Sequence, residues 1–369
     1  MKYYIISGEA SGDLHGSNLV KALLQEDTEA QVRAWGGDLM QAAGATLAKH
    51  YKDLAFMGVW QVIKHLPTII GNFKFCHRDI LEFQPDVLIL IDYSGFNLRV
   101  AKWAKTQNLK VFYYISPQIW ATREKRVEKI KRYVDQMFVI LPFEEAFYQR
   151  HNYSVEFVGH PLLDVIEQHP FNPAFKQELA LDNQPIVALL PGSRKQEIRS
   201  MLTVMLSVVN DFPNYQFIIA GAPSMTADFY APFLEGYPNV HLLQNKTYDL
   251  LQHSHAALVT SGTATLETAL FNVPQVVCYK ASAILYHIVK RIIKVPFISI
   301  VNLIMEKKVV QELIQHDLNT QQLKIELQQI IEGSSRHEML EQYTQLRHKL
   351  GHKGASQKAA KSMLQHLQS

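Results

Sequence analysis

Eight continuous runs of β-branched, aliphatic or aromatic residues punctuate the chain, and stretches with helical spacing separate them. In order they read YYIIS, VLILID, VFYYIS and MFVIL, then IVALL, FIIAG, ALVTS and VVCY. A strand covered by helices on both faces shows no polar side, so its sequence loses the alternation of a half-exposed strand. The pattern therefore predicts an α/β protein with two doubly wound parallel units in succession. Pro161, Pro170, Pro173 and Pro185 break up a polar stretch between them, which sets a boundary near residue 165. The expected division is an amino-terminal unit at 1–165, a second at 166–345 and a terminal helix at 346–369 packing back on the domains.

The 369 residues suit two domains, and a 47% hydrophobic content supplies a core to each. A net charge of +3 gives no reason to expect a nucleic-acid partner. Cys76 and Cys278 stand far apart, outside any C-x-x-C spacing, which fits a reducing compartment. The first apolar run begins almost at residue 1 without a basic leader, so a cytoplasmic protein is expected. Lys64, His65 and Lys74 interrupt the most apolar amino-terminal region, so any membrane contact is expected to be peripheral.

In doubly wound sheets ligands bind beyond the carboxyl ends of the strands, so the residues after each apolar run are the informative ones. After the first run comes Ser7-Gly8-Glu9-Ala10-Ser11-Gly12-Asp13, a glycine turn with two carboxylates. Acids repel pyrophosphate but accept hydrogen bonds from alcohols, so Glu9, Ser11 and Asp13 suit a polyol. VLILID ends on Asp92, with Asn97 and Arg99 just beyond; Asp92 is a candidate general base, although an Asp there also suits helix capping.

The second unit opens IVALLPGSRKQEI. Gly192 and Ser193 make the turn, and Arg194, Lys195 and Arg199 place cations at a helix amino terminus, the wrong end for the helix dipole unless an anion sits there. Further on, Ser261, Gly262 and Thr263 leave a strand and Glu267 follows within the next helix. A diphosphate at Arg194 and a ribose diol at Glu267 would describe a nucleotide; simple capping explains the second turn equally well taken alone. No D-x-D triplet occurs, so fixed cations and helix starts, with no metal, are expected to meet the charge of a leaving diphosphate.

Beside these turns, residues 53–78 are apolar nearly all round, with Phe56, Met57, Val59, Trp60 and Ile63 among them and Lys64, Lys74 and Arg78 at the edges. Residues 284–304 repeat the combination with Lys290, Arg291 and Lys294. Each stretch suits a buried helix; two together suggest a lipid-facing surface. Arg123 and Arg126 are candidates for an acceptor phosphate, and His253 and His255 read as structural.

SGEASGD, the FMG segment, IDYSGFNLR, YYISPQIWA, LPFE, FVGHPLLD, LLPGSRKQEI, SGTATLE and VNLI occur in an order that resembles the lipid-A-disaccharide synthase family, from residue 3 to about 315. The resemblance implies a GT-B architecture of two Rossmann-like domains facing a central cleft. It implies transfer of 2,3-diacylglucosamine from its UDP form to the 6-hydroxyl of 2,3-diacylglucosamine 1-phosphate (lipid X), with inversion and without a cofactor, on the inner face of the cytoplasmic membrane. Asp92 falls on the family's essential acid. Arg194, Glu267 and Asn302 fall on donor-binding positions, and the FMG stretch on the region that contacts lipid. The family commonly has Trp where this chain has Thr122 and Pro where it has Gln311. The sequence also permits a homodimer. The alternatives are another UDP-sugar enzyme, an epimerase or a soluble glycosyltransferase, and a non-catalytic UDP-sugar sensor.

Overall fold

The computed structural model describes residues 1–54, 66–179, 181–281 and 295–368. The chain forms two compact units, Met1–Pro161 with Leu350–Ser369, and Leu162–Lys349.

The first unit carries β1 (Lys2–Ile6), β2 (Gln31–Gly36), β3 (Thr46–His50), β4 (Val87–Ile91), β5 (Lys110–Tyr114), β6 (Gln136–Val139) and β7 (Glu156–Phe157). They pair in parallel in the order β3-β2-β1-β4-β5-β6-β7. The chain therefore builds outward from β1 in one direction, then returns to lay β4 on its other side. Ile6 lies opposite Leu90, so β1 and β4 end nearly level at this reversal. In open α/β sheets such a switch point is where flanking turns splay apart and leave a crevice.

The second unit repeats the plan with β8 (Ile186–Leu190), β9 (Gln216–Gly221), β10 (Val240–Gln244), β11 (Ser254–Thr260), β12 (Gln275–Tyr279) and β13 (Gln311–Ile314). Its parallel order is β10-β9-β8-β11-β12-β13, and the reversal falls between β8 and β11, where Leu190 faces Val259. β4, β8 and β9 are buried along their whole length.

Two features fasten the first unit. Tyr4 Oη donates to Asp79 Oδ2 at 2.6 Å, Arg33 straddles the same carboxylate with Nε at 2.8 Å, and Trp35 Nε1 donates back to Tyr4 Oη at 2.9 Å. This pins the helix Leu66–Phe83 onto β1 and β2. The carboxyl-terminal helix Ala355–Gln368 packs on the helix Ala10–Glu26, with Lys361 3.7 Å from Glu26 and Ser356 Oγ 3.4 Å from Tyr114 Oη. Among the described residues no helix is long and apolar enough to cross a membrane.

Candidate active site

At the first unit's switch point the turns after β1 and β4 are locked together. Asp92 and Tyr93 both adopt left-handed backbone, with φ of 41° and 44°. Such strain persists only where the surroundings enforce it, and it gathers at functional positions. The enforcement is visible. Tyr113 Oη donates to the Asp92 carbonyl, and Asn97 Nδ2 donates to the carbonyls of Asp92 at 2.9 Å, Ile91 at 3.1 Å and Ile6 at 3.4 Å. The Tyr93 ring lies so close over Gly8 that a Cβ there would stand 2.5 Å from the ring, which explains a glycine in the first turn.

The Asp92 side chain is exposed, yet enough protein surrounds its carboxyl to hinder hydration. This crowding, with repulsion from Glu9 across the switch point, pushes its pKa up to about 6. A carboxylate poised there takes a proton at neutral pH more readily than an ordinary surface Asp. Glu9 and Ser11 are exposed at the start of the helix Ala10–Glu26, beside it.

Asp13 and Asn97 are placed differently from the expectation. Asp13 is buried, and its carboxylate accepts from the backbone N–H groups of Gly37 at 2.7 Å, Met40 at 3.0 Å and Leu39 at 3.1 Å. It caps the short helix Asp38–Ala42 and is not presented to a sugar. Asn97 is fully buried and acts as the strap between strand ends described above. Both are therefore corrections to the polyol reading: what remains of it in this turn is Glu9 and Ser11.

Basic groups flank Asp92 on a further turn. Arg126 Nη1 donates to Ser94 Oγ at 2.7 Å, and its own N–H donates to the carbonyl of Arg123 at 2.9 Å. The intervening 3₁₀ turn Glu124–Arg126 brings positions three apart onto one side. Burial, then the charges of Arg123 and Arg99, lower the pKa of Arg126. Among the described residues none of these three guanidiniums forms an ion pair. Arg99 lies 5.8 Å from the Phe73 ring centre, so Arg123 and Arg126 are the two cations here without a ring partner among the described residues.

At the second unit's switch point, Gly192 takes φ +98°, and its missing Cβ makes room for Glu197, whose Oε2 accepts the Ser193 N–H at 3.3 Å. Ser193 and Arg194 are exposed before the helix Lys195–Leu206. Lys195 Nζ lies 5.7 Å and the Arg199 guanidinium 5.6 Å from the Phe229 ring centre, so both cations lean onto that aromatic face. Among the described residues Arg194 has no ion pair or ring partner, which leaves it as the uncommitted charge of the turn.

Across the switch point, Thr263 opens the helix Thr263–Leu270 and is exposed, while Ser261 Oγ donates to the Ile298 carbonyl at 2.9 Å. One turn on, Glu267 is raised in pKa by burial and accepts from Tyr248 Oη at 2.9 Å. Asn302 is fully buried, and each end of its amide is taken. Its Oδ1 accepts from Val309 and Val310 N–H at 2.8 and 2.9 Å, and its Nδ2 donates to Val310 O and Glu312 Oε1, both at 2.9 Å. Glu312 in turn accepts the Ile298 and Ser299 N–H groups. Asn302 thus shapes the turn that Ser261 bonds to, and direct contact with a donor is corrected to positioning.

Tyr93, Tyr113, Glu197, Tyr248 and Glu312 were missed by sequence reasoning. Only Tyr113 and Glu197 carried a signal, the first at the end of an apolar run and the second in a helix's first turn. His253 and His255 bond backbone carbonyls at 2.7 and 3.1 Å, and Cys278 is buried. Phe56, Met57, Val59, Trp60 and Ile63 lie outside the described residues, as do Lys290, Arg291 and Lys294.

A family model described as lipid-A-disaccharide synthetase matches residues 3–367. The lipid-A-disaccharide synthase of Trichlorobacter lovleyi is 38% identical over 363 residues, 96% of this chain and 95% of that protein. The lipid-A-disaccharide synthase of Geobacter metallireducens is 39% identical over 370 residues, 98% and 96% respectively. Among solved structures, the UDP-GlcNAc 2-epimerase of Neisseria meningitidis bound to UDP-GlcNAc aligns with a TM-score of 0.71, covering 99% of this chain and 100% of that one. At 14% identity this likeness shows the two-sheet fold alone.

Proposed function

Because the chain belongs to the lipid-A-disaccharide synthetase family, we propose that it is an inverting glycosyltransferase that joins two acylated glucosamines in lipid A synthesis. The donor is UDP-2,3-diacylglucosamine and the acceptor alcohol is the 6-hydroxyl of 2,3-diacylglucosamine 1-phosphate. The products are the β-1,6-linked disaccharide 1-phosphate and UDP. The observation that carries this reading is Asp92, a strained, crowded carboxylate at a switch point with a pKa near 6.

The two units divide the work. Asp92 takes the proton of the acceptor hydroxyl as its oxygen attacks the anomeric carbon, while Glu9 and Ser11 orient neighbouring alcohols. The bond from that carbon to the diphosphate breaks, and its electron pair leaves on the β-phosphate oxygen. One displacement inverts the centre, so no glycosyl-enzyme forms. Arg194, with the Gly192–Ser193 turn, meets the charge developing on the diphosphate, and the start of the helix at Thr263 adds its N–H groups. Glu267 accepts from the ribose hydroxyls, and Ser261 with Asn302 shapes the adjoining turn. Arg123, with Arg126, receives the acceptor's 1-phosphate, for which a guanidinium fork is the matching partner.

Acyl chains on both substrates call for a lipid surface. The apolar sequence around Phe56, Met57, Val59, Trp60 and Ile63 is assigned to peripheral contact with the inner face of the cytoplasmic membrane. The helix following it supports this reading, since Ile70 is 48% exposed on a helix that also exposes Lys74 and Arg78. Liposome co-sedimentation of a Phe56→Ser, Trp60→Ser double variant should show weakened binding; binding equal to wild type removes the assignment. The reaction itself is tested by mass spectrometry after mixing the purified protein with both acylated sugars. Formation of the disaccharide 1-phosphate is expected, and its absence with both substrates present overturns the proposal.

A further inference from the structure

Glu267 is a half-buried carboxylate, closely surrounded by protein, that, among the described residues, has no cationic partner and a single side-chain donor, Tyr248. Tyr248 lies on the helix Thr247–His253, and its ring is held on two sides. His169 stands edge-on to it at 5.5 Å and 87°, and Phe271 leans on it at 5.2 Å and 52°. His169 is itself fixed, with Nε2 2.7 Å from Asp249 Oδ1. A ring held this way delivers its hydroxyl to one place, Glu267 Oε1 at 2.9 Å.

We infer that Tyr248 is a positioning residue for the nucleotide: it fixes the Glu267 carboxylate so that Oε2 and the remaining lone pair of Oε1 face two adjacent hydroxyls. A vicinal diol presents two donors side by side and takes both acceptors of one carboxylate, provided the carboxylate cannot rotate. A crowded acid without a cation resists ionisation, and the phenol's donated proton counters that resistance. Tyr248 touches no reacting atom in this scheme. The inference rests on reading Glu267 as the acid that meets the ribose.

The test is calorimetric titration of wild type, Tyr248→Phe and Glu267→Gln with UDP and with 2′,3′-dideoxy-UDP. Removing the phenol oxygen keeps the ring and its packing, so folding is checked by melting temperature alone. Tyr248→Phe should weaken UDP about tenfold, the scale of one charge-assisted hydrogen bond, and leave dideoxy-UDP unchanged. In turnover the donor KM should rise by a similar factor while kcat stays within twofold. Equal losses for both nucleotides, or none for either, overturn the inference, because packing or irrelevance would then explain Tyr248. Should Glu267→Gln lose no discrimination between the two nucleotides, it is the ribose reading of Glu267 that fails. That outcome is distinct from a failure of Tyr248→Phe beside a Glu267→Gln that has lost the discrimination.

Discussion

The Asp13 carboxylate accepts the backbone N–H of Gly37 at 2.7 Å, tying the helix after β1 to the turn after β2. Two more N–H groups, of Leu39 and Met40, bond the same carboxylate, so the side chain is a clamp between the first turns of neighbouring helices. Asp13→Ala would strand these donors in a buried place and should cost about 2–3 kcal/mol of stability. Asp13→Asn keeps one acceptor oxygen and should lose roughly half as much. Urea denaturation reads both values. A variant that melts like wild type yet binds acceptor poorly would return Asp13 to the substrate.

Asp92→Asn isolates the base. Asn adopts left-handed backbone as readily as Asp, so the strained turn should survive. Disaccharide formation should fall by about 10²–10⁴ while UDP affinity stays within twofold. Stability should move the other way. The folded pKa of about 6 lies above the ordinary 3.8, so the native state holds a proton that the unfolded chain has released between those values. Wild-type stability therefore declines as pH rises from about 4 to 6, and Asp92→Asn escapes that decline. Solvent screening of an exposed carboxyl keeps the gain below about 1 kcal/mol at pH 7, vanishing below pH 4. Thermal melts at pH 4 and 7 check the sign.

Glu9 and Asp92 face one another electrostatically across the switch point, and that coupling has its own signature in rate. For the wild type, kcat/KM for the acceptor should climb with pH and level off above about 6, as Asp92 ionises. Glu9→Gln removes the repulsion that opposes ionisation, so the acid limb should shift to lower pH. The plateau should fall as well, since Glu9 also orients an alcohol in the proposed reaction. An acid limb that stays in place would uncouple the two residues.

What the chain reveals in advance follows from how its strands are buried. The eight continuous apolar runs became strands, among them the β1–β4 and β8–β11 pairs that set both switch points. β2, β3, β7, β10 and β13 were not anticipated; β3, β7, β10 and β13 are sheet edges, where half-buried positions admit Lys49, His50, Glu156 and Glu312 and an exposed one admits His241. Gln311 opens the edge strand β13, a place where the family's proline also fits. The place of Asp92, directly after the buried run of β4, is read from the sequence, whereas its part as general base is proposed, since an Asp there also suits helix capping. Asp13, Asn97 and Asn302 share the chemistry of ligand-binding residues, but backbone N–H groups take the Asp13 carboxylate, backbone carbonyls take the Asn97 amide nitrogen, and backbone groups with Glu312 take both ends of Asn302. The partner of Asp13 lies 24 residues away and that of Asn97 as many as 91. Nothing local distinguishes a carboxylate awaiting a sugar O–H from one already holding a peptide N–H.

The cations after β8 illustrate the same point and permit a sharper experiment. Arg194, Lys195 and Arg199 are alike in sequence, but Lys195 and Arg199 lean on Phe229, whereas Arg194 has no ion pair or ring partner among the described residues. If Arg194 alone bonds the diphosphate, Arg194→Ala should weaken UDP roughly 10- to 100-fold, the scale of charge-assisted hydrogen bonds. Lys195→Ala and Arg199→Ala should each cost less than about threefold, through the longer-range field alone. Arg194→Lys should restore only part of the loss, because an ammonium lacks the planar fork. Titration with UDP at two salt concentrations separates these cases: added salt should narrow the small Lys195 and Arg199 effects and leave most of the Arg194 effect intact. Equal losses for all three variants would mean that the turn acts as a diffuse positive patch, and the assignment of the leaving-group contact to Arg194 would not stand.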